Sequence, residues 1–570
     1  MLRKLVIVVV AAGTLALPAG AQTSAPTLLM PGVTYQRQVE FTSRGPVVLD
    51  VVTAPKPDGS LYTLGPAVAH NALSTTERLT DIEKDASSTS TVVGVNGDFF
   101  SGHGPPAGIV MSGGVLDSAP AVGRSSLGIS SDGTLTVAQV AFDGTWRGTG
   151  QRRQLDLNDP PVAGHTTLYT SAWGPATPAE DGVVEDVIPA LPPLQPNSVI
   201  PGVVTEQDGA GGIPIPPGGA VLVARGSQMP HLSAEAPVGT TVEIRPTLTP
   251  DWSSQLTAIG GGPLLVSDGK AVFRADEAFG DPVLNVRGAR SAVGQTADGQ
   301  ILLVTVEGGG PAYSAGMTNY ELANAMVRLG AVTAMGLGSG TAAGMAFDGA
   351  LLTRPSTAAE PPIADALLLA YNGVYAAPPS SDVVSPNGDG VDDSETFTYK
   401  LVAPSQVTAT LTGPDGVPVT LAQDAEEPGL HTLVWNGQPA TEGEWRFVVS
   451  AIDQSGRTTT AERDVLLDDT LGSLQASPAA AHLAAGSKSV LTASFQLIHP
   501  AKITVTIETR TGIVLATILN KQLQPGAQSV VWNGRLWTGG LAFTGAYQVD
   551  VVAANSIGTV SLVAPFVARR

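Results

Sequence analysis

Cysteine is absent from the 570-residue chain, which excludes disulfides, thiolate metal sites and thiol nucleophiles together. Charge is scarce as well. Asp, Glu, Lys and Arg make up 14% of the residues, and the balance of 50 acids against 30 bases gives a net charge of −20. A surface of that sign repels nucleic acid and anionic lipid and favours solubility, so no nucleic-acid partner is expected. Past the first residues, no stretch approaches the roughly 18 uninterrupted apolar residues of a membrane span. The seven histidines are scattered, with no HExxH and no paired zinc spacing. There is likewise no G-x-S-x-G elbow and no Walker A loop.

What the chain does have is small and apolar: 66 Gly, 44 Pro and 43% hydrophobic residues. That composition describes a globular, turn-rich and strand-rich protein, and the length predicts about two to four domains. Arg3 and Lys4 precede an apolar run from Leu5 to Leu17, then Pro18 and "AGA". This pattern predicts a secretory signal over residues 1–21, cleaved near Ala21, and hence a protein that is secreted, extracellular or on the cell surface. A linker follows over 22–34.

From residue 35 short strand-like segments such as "PVVLDVVTA" alternate with Gly, Pro and Asp turns. One stretch has a helical period. "MTNYELANAMVRLGA" aligns Leu322, Ala325, Met326 and Leu329 on one face. Thr318 is its expected N-cap and Gly330 its stop, and "AVTAM" follows as a strand. After a Pro/Ser linker at 377–384 the chain carries only alternating strand patterns. These repeat, since "SQVTATLTGPDGVPV" at 405–419 matches "AKITVTIETRTGIVL" at 501–515, and "HTLVWNG" at 431–437 matches "QSVVWNG" at 528–534. A repeat of that length is one small β-sandwich. Trp435 and Trp532 are expected to fill the two cores, each entering an Asn-Gly hairpin turn. The units, 385–470 and 471–570, resemble immunoglobulin-like modules of the FlgD/Vpr type, which implies spacing, display or adhesion. The first opens with "SPNGDGVDD", where Asn387, Asp389, Asp392 and Asp393 crowd oxygen donors around two glycines. The chemistry suits Ca²⁺, and a solvated acidic turn is the alternative.

Polar groups also gather at apolar strand ends beside glycine, where backbone can approach a ligand: "NGDFF" at 96–100, "GGGPLLV" at 260–266, "RSAVG" at 290–294 and "VTVEGGG" at 304–310. A further loop, "GLGSGTAAGM" at 336–345, comes near a dinucleotide fingerprint, but its final glycine is misplaced and strand and turn follow instead of a helix. With "PAGIVMSGG" at 106–114, "GMTNYELA" at 316–323 and "EPPIADALL" at 360–368, these motifs run in the order of the phosphodiester glycosidase family. The family's best-known activity is that of N-acetylglucosamine-1-phosphodiester α-N-acetylglucosaminidase. The resemblance covers about 40–375 and implies an α+β domain over 35–376, strand-rich with few helices, ahead of two all-β sandwiches. It implies a glycan or sugar-phosphate substrate, including cell-envelope polysaccharide.

Matched positions supply the candidate site. Asn96, Gly262 and Arg290 stand where the family has the same residue. Asp98 replaces the second glycine of N-G-G-F-F, and Glu307 replaces an aspartate. Gly309 and Pro361 replace arginines, Gly336 an asparagine, Gly338 an aspartate, Ala342 a serine and Asp365 an asparagine. The resemblance makes Asp98, Arg290 and Glu307 the catalytic candidates. It makes Asn96, Gly97, Gly261, Gly262, Gly338, Ser339, Gly340 and Glu360 the substrate-binding ones. Two functions are open: a hydrolase of sugar phosphodiesters or envelope glycans with Asp98 or Glu307 as acid, base or metal ligand, or a degenerate glycan-binding or structural module displayed on the sandwich pair.

Overall fold

The computed structural model describes residues 22–100, 104–160, 162–272, 276–388, 390–437 and 441–570. The expected signal over 1–21 and the calcium candidate Asp389 lie outside them. The protein is strand-rich with few helices and falls into two compact units, divided between Asn372 and Gly373. Tyr375–Ala376, expected at the end of the first domain, instead pairs antiparallel with Glu395–Leu401 of the second unit. Among the described residues no helix is long and apolar enough to cross a membrane.

The first unit is built around an antiparallel sheet whose central order is Val33–Thr42, Gly45–Ala54, Ile301–Val306, Arg290–Thr296, Ala331–Gly336 and Leu264–Ser267. Side chains alternate between its two faces. Leu49, Val51, Leu302, Val304 and Val306 face one way and pack on Leu322, Ala325 and Met326 of the helix Asn319–Arg328. That helix starts as its sequence predicts. Thr318 accepts from the Glu321 amide while the Glu321 carboxylate accepts from the Thr318 amide, a reciprocal cap. Gly330, at φ 95, ends it. The helix lies close because Gly294 has no side chain, for a Cβ there would come within 2.7 Å of the Met326 methyl.

The residues of opposite parity are polar in a row. Register places Arg37 against Asp50, Asp50 against Thr305 and Thr305 against Ser291, all on the face away from the helix. A second antiparallel sheet, ordered Met345–Phe347, Thr91–Asn96, Asp365–Tyr371, Tyr62–Val68, meets this face through Asn96. The hairpin between Met345–Phe347 and Ala350–Leu351 turns on Asp348 and Gly349, both at positive φ as a tight two-residue turn requires. A further apolar core within 109–258 draws on three smaller sheets and the loop at Trp252, and includes Met111, Trp146, Leu168 and Leu222.

The second unit is two β-sandwiches of one design. Each pairs a three-stranded sheet with a five-stranded one in the same order. Tyr375–Ala376, Glu395–Leu401 and Gly429–Trp435 correspond to Leu471–Ser477, Leu491–Leu497 and Gly526–Trp532. Trp435 and Trp532 are buried in the cores, and the Phe397 ring stacks on Phe447 across the first sandwich with centroids 4.3 Å apart. The expected Asn-Gly hairpin does not form. Gly429–Trp435 pairs with Glu395–Leu401, while the next strand, Gly443–Asp453, belongs to the opposite sheet. The dipeptide therefore begins a crossing between sheets, and Gly526–Trp532 is followed by the same crossing. Local turn chemistry permits a hairpin here, but burial of both sheet faces requires the crossing.

Trp532 is 1% exposed and its indole N–H donates to the Arg535 carbonyl at 2.9 Å. Trp532→Ala is expected to destabilise the second unit by about 3–5 kcal/mol, read as a shift in its urea unfolding midpoint. A shift below about 1 kcal/mol contradicts the packing described.

Candidate functional site

Asn96, at the end of the strand Thr91–Asn96, is the hub. Its Nδ2 donates to the Gly338 carbonyl at 2.9 Å, and its Oδ1 accepts from Ser291 Oγ at 2.6 Å and from the Gly344 amide at 3.1 Å. It thereby binds the edge of the second sheet to the first sheet and to both ends of the 336–344 loop. That loop is fastened along its length by backbone. The amide of Gly262 donates to Gly336, that of Gly338 to Gly97, and that of Gly340 to Ala289, all within 2.9 Å. A Cβ on Gly261 would meet the Gly336 carbonyl at 2.7 Å, and one on Gly97 would meet Asp365 Oδ1 at 2.4 Å. Glycine is needed at these places for close approach. Ser339 precedes the 3₁₀ turn Gly340–Ala342 without capping it through its side chain.

Gly338 is closed in. A Cβ there would lie 2.8 Å from Asn96 Nδ2 and within 3.0 Å of the Asp98 and Gly97 carbonyls. The backbone has therefore settled into the space that an aspartate side chain would need.

Two groups of carboxyls flank the hub. On one side Asp98 is 3% exposed. Its Oδ1 accepts the Phe99 amide at 2.7 Å, and its Oδ2 rests against Gly108 and Gly260 with no hydrogen-bond partner. Burial pushes its pKa up to about 6, against the opposing pull of the Phe99 amide and Arg124. Asp365 accepts the Asp98 amide at 2.8 Å; burial, and then the charge of Asp98, raise it well above the usual carboxylate range. Arg124 lies over the Phe279 and Phe99 rings, 4.7 and 5.3 Å from their centroids.

On the other side, Thr305 connects the hub to Glu307. The Thr305 hydroxyl lies 3.4 Å from Ser291 Oγ and 3.4 Å from the Gly344 carbonyl. Two residues on, Glu307 is buried. Its Oε1 accepts from Arg37 and from the Arg354 amide at 2.8 Å, and its Oε2 accepts from Tyr313. Arg37 turns its Nε to Asp50 at 3.0 Å, so one guanidinium holds both carboxyls, and Tyr35 adds a hydroxyl to Asp50 at 2.6 Å. Asp50 is fully buried, and burial is the largest influence on it. The Tyr35 and Arg37 bonds oppose the rise and the charge of Glu307 adds to it, leaving Asp50 near 7. The Arg37 side chain is 38% exposed, and the Arg354 guanidinium lies over the Tyr313 ring at 4.6 Å.

The remaining candidates are placed differently. Arg290 is buried, and its Nη2 donates to the Val286 carbonyl at 2.5 Å and to the Pro282 carbonyl at 3.3 Å, which anchors the turn at Asp281–Leu284. Glu360 accepts from the Thr80 amide at 3.0 Å and its hydroxyl at 2.8 Å, and so caps the helix Leu79–Ser87 beside Ala342 and Gly344. In the acidic loop Asp393 accepts the Gly388 and Gly390 amides at 2.7 and 2.8 Å, Asn387 Nδ2 donates to Ser385 and Leu471, and Asp392 lends its carbonyl to the Ser385 amide. Arg37, Asp50, Arg124 and Arg354 were not singled out by sequence. Asp50 left a trace, as the one charge inside "VVLDVVTA".

Residues 198–370 match the family model of the phosphodiester glycosidases. That span includes Arg290, Glu307, the glycine loop and Glu360, and it excludes Asn96 to Asp98. No curated protein matches the chain. Among solved structures, a hypothetical protein from Synechocystis is similar at 28% identity and a TM-score of 0.50, over 61% of this chain and 64% of that one. The chain thus spans just under two thirds of that protein's length. The catalytic domain of zebrafish N-acetylglucosamine-1-phosphodiester α-N-acetylglucosaminidase, auto-inhibited by its pro-peptide, aligns at 14% identity and a TM-score of 0.34, over 62% of this chain and 88% of that one.

Two outcomes follow from this geometry. Asp98 has its pKa raised, so its contribution to stability is fully present below about pH 4 and is lost as pH rises through about 6. Asp98→Asn, which keeps an acceptor for the Phe99 amide, should therefore stabilise the first unit above pH 6 by about 1–3 kcal/mol and flatten its profile between pH 4 and 6. Thermal unfolding across that range measures it, and an unchanged pH slope refutes it. Gly338→Ala should cost about 1–3 kcal/mol by forcing the loop off Asn96, read as a lower melting temperature.

Proposed function

We propose that the first unit is an exported hydrolase of the phosphodiester glycosidase type, acting on a sugar phosphodiester or a cell-envelope glycan such as an exopolysaccharide. The observation that supports it most is the pair Asp50 and Glu307 held by the single guanidinium of Arg37. Glycosyl transfer uses one carboxyl as proton donor to the leaving oxygen and a second carboxylate on the sugar side. Asp50, whose pKa burial raises to about 7, fills the first role. Glu307, at the family's aspartate position, fills the second. The Arg37 guanidinium, bonded to Glu307 and partly exposed, offers positive charge to a phosphate, and the Arg354 guanidinium, which lies over the Tyr313 ring, is a second candidate in place of the family's two arginines. Asp98 serves as an auxiliary buried acid behind the loop. The sandwich pair, read as immunoglobulin-like, spaces or displays the unit.

A second reading has its own support. The closed space at Gly338, and the occupation of Asn96 and Arg290 by structural bonds, favour a degenerate module that binds glycan without cleaving it.

The discriminating experiment incubates the purified chain from residue 22 onward with aryl-phosphoryl sugars and a GlcNAc-1-phosphodiester, with and without Ca²⁺. Turnover reduced about 100-fold or more in Glu307→Gln and Asp50→Asn, with melting temperature retained, supports the hydrolase. Saturable glycan binding without turnover in the parent chain favours the second reading.

A further inference from the structure

The histidines are scattered in sequence, yet one of them meets two carboxylates in space. Glu442 stands immediately before the strand Gly443–Asp453 of the first sandwich. Asp469 lies in the connector between Thr458–Leu467 and Leu471–Ser477, and His499 in the turn between Leu491–Leu497 and Ala501–Thr509 of the second sandwich. One donor atom from each falls within 4.8 Å of the other two. His499 Nε2 is 2.6 Å from Glu442 Oε2 and 3.3 Å from Asp469 Oδ1. We propose that Glu442, Asp469 and His499 form a binding site for a divalent transition metal of the zinc class, which links the two sandwiches through their connector.

The supports of the three side chains fit that role. Glu442 Oε1 accepts the Asp469 amide at 2.9 Å, which fixes the carboxylate and leaves its other oxygen facing the imidazole. Second contacts of that kind orient metal ligands. The Asp469 Oδ1 atom is buried and makes no hydrogen bond of its own. The connector is held on both sides. The Thr470 amide donates to Asp468 Oδ1 at 2.9 Å, and the Thr470 carbonyl accepts the Ile498 amide at 2.9 Å, one residue before His499. Asn555 adds a bond to the Thr470 hydroxyl at 2.8 Å. Three donors thus come from three segments whose backbones are already tied, so little ordering is required when an ion enters.

Donor chemistry selects the ion. One imidazole nitrogen with two carboxylate oxygens suits zinc and its neighbours, whereas Ca²⁺ and Mg²⁺ prefer oxygen alone. Zinc–nitrogen and zinc–oxygen distances of about 2.0–2.2 Å require the imidazole and the Glu442 oxygen to part only modestly from their present contact. Partial exposure, 38% for His499 and 22% for Glu442, leaves a path for the ion and room for water to complete the coordination.

The test is calorimetric titration of the chelator-treated chain from residue 22 onward with ZnCl₂ and, separately, CaCl₂. The expected result is one saturable zinc site, little response to calcium, and a rise in the melting temperature of the second unit. His499→Ala and Asp469→Asn should each weaken zinc binding at least about ten-fold, while His482→Ala, on the same sandwich, leaves it unchanged. Asp469→Asn is nearly isosteric and guards against a variant that fails to fold. Absence of saturable zinc binding overturns the site, as does binding that survives both ligand substitutions or is lost equally with His482→Ala.

Discussion

A single carboxamide holds the first unit's architecture to its chemistry. Asn96 bonds the end of the strand Thr91–Asn96 to Ser291 in the larger sheet and to Gly338 and Gly344 at the two ends of the glycine loop. Ser291 and Gly338 are buried, and a buried polar group left without its hydrogen bond costs about 1–3 kcal/mol. The polar groups of the candidate site lie outward from this point, with Asp98 and Asp365 behind the loop and Thr305, Glu307 and Asp50 along the sheet.

The same arrangement explains why a fold resembling a catalytic one does not automatically retain the chemistry. Where the resemblance sets an aspartate, the chain has Gly338, and a Cβ there would lie within 3.0 Å of the Asp98 and Gly97 carbonyls, so the space for that side chain is closed. Where the resemblance sets arginines, Gly309 and Pro361 stand, and Glu307 is bonded by the guanidinium of Arg37 and the backbone amide of Arg354. The positive charge bonded to Glu307 comes from Arg37, on a strand far away in sequence.

That distance also governs how much could be read from the residues alone. The helix Asn319–Arg328 was legible because its cap, its apolar period and its stop are all local. The sandwich repeat was legible because each core repeats its own tryptophan. The Asn-Gly turn was misread because the dipeptide is equally compatible with a hairpin and with a crossing, and only the second sheet decides. At the site, strand ends beside glycines identified Asn96, Asp98 and Glu307 as polar points. Arg37 and Asp50 stayed hidden because their meaning lies in cross-strand register, which places them opposite each other and beside Thr305. Arg290 and Glu360 drew notice for their residue type, but their partners, the carbonyls of Pro282 and Val286 and the amide of Thr80, are contacts that no motif encodes.

In both sandwiches the second strand, a short one, runs parallel to the closing one: Val383–Val384 beside Leu466–Leu467, and Ala480–His482 beside Val567–Arg569. A pull applied along these two strands would draw the neighbours past each other lengthwise. The hydrogen bonds between them would be loaded together in shear, and none could open first as in the unzipping of a hairpin. Each sandwich thus carries one parallel pairing, between a strand near its start and its last strand, that would be sheared rather than unzipped.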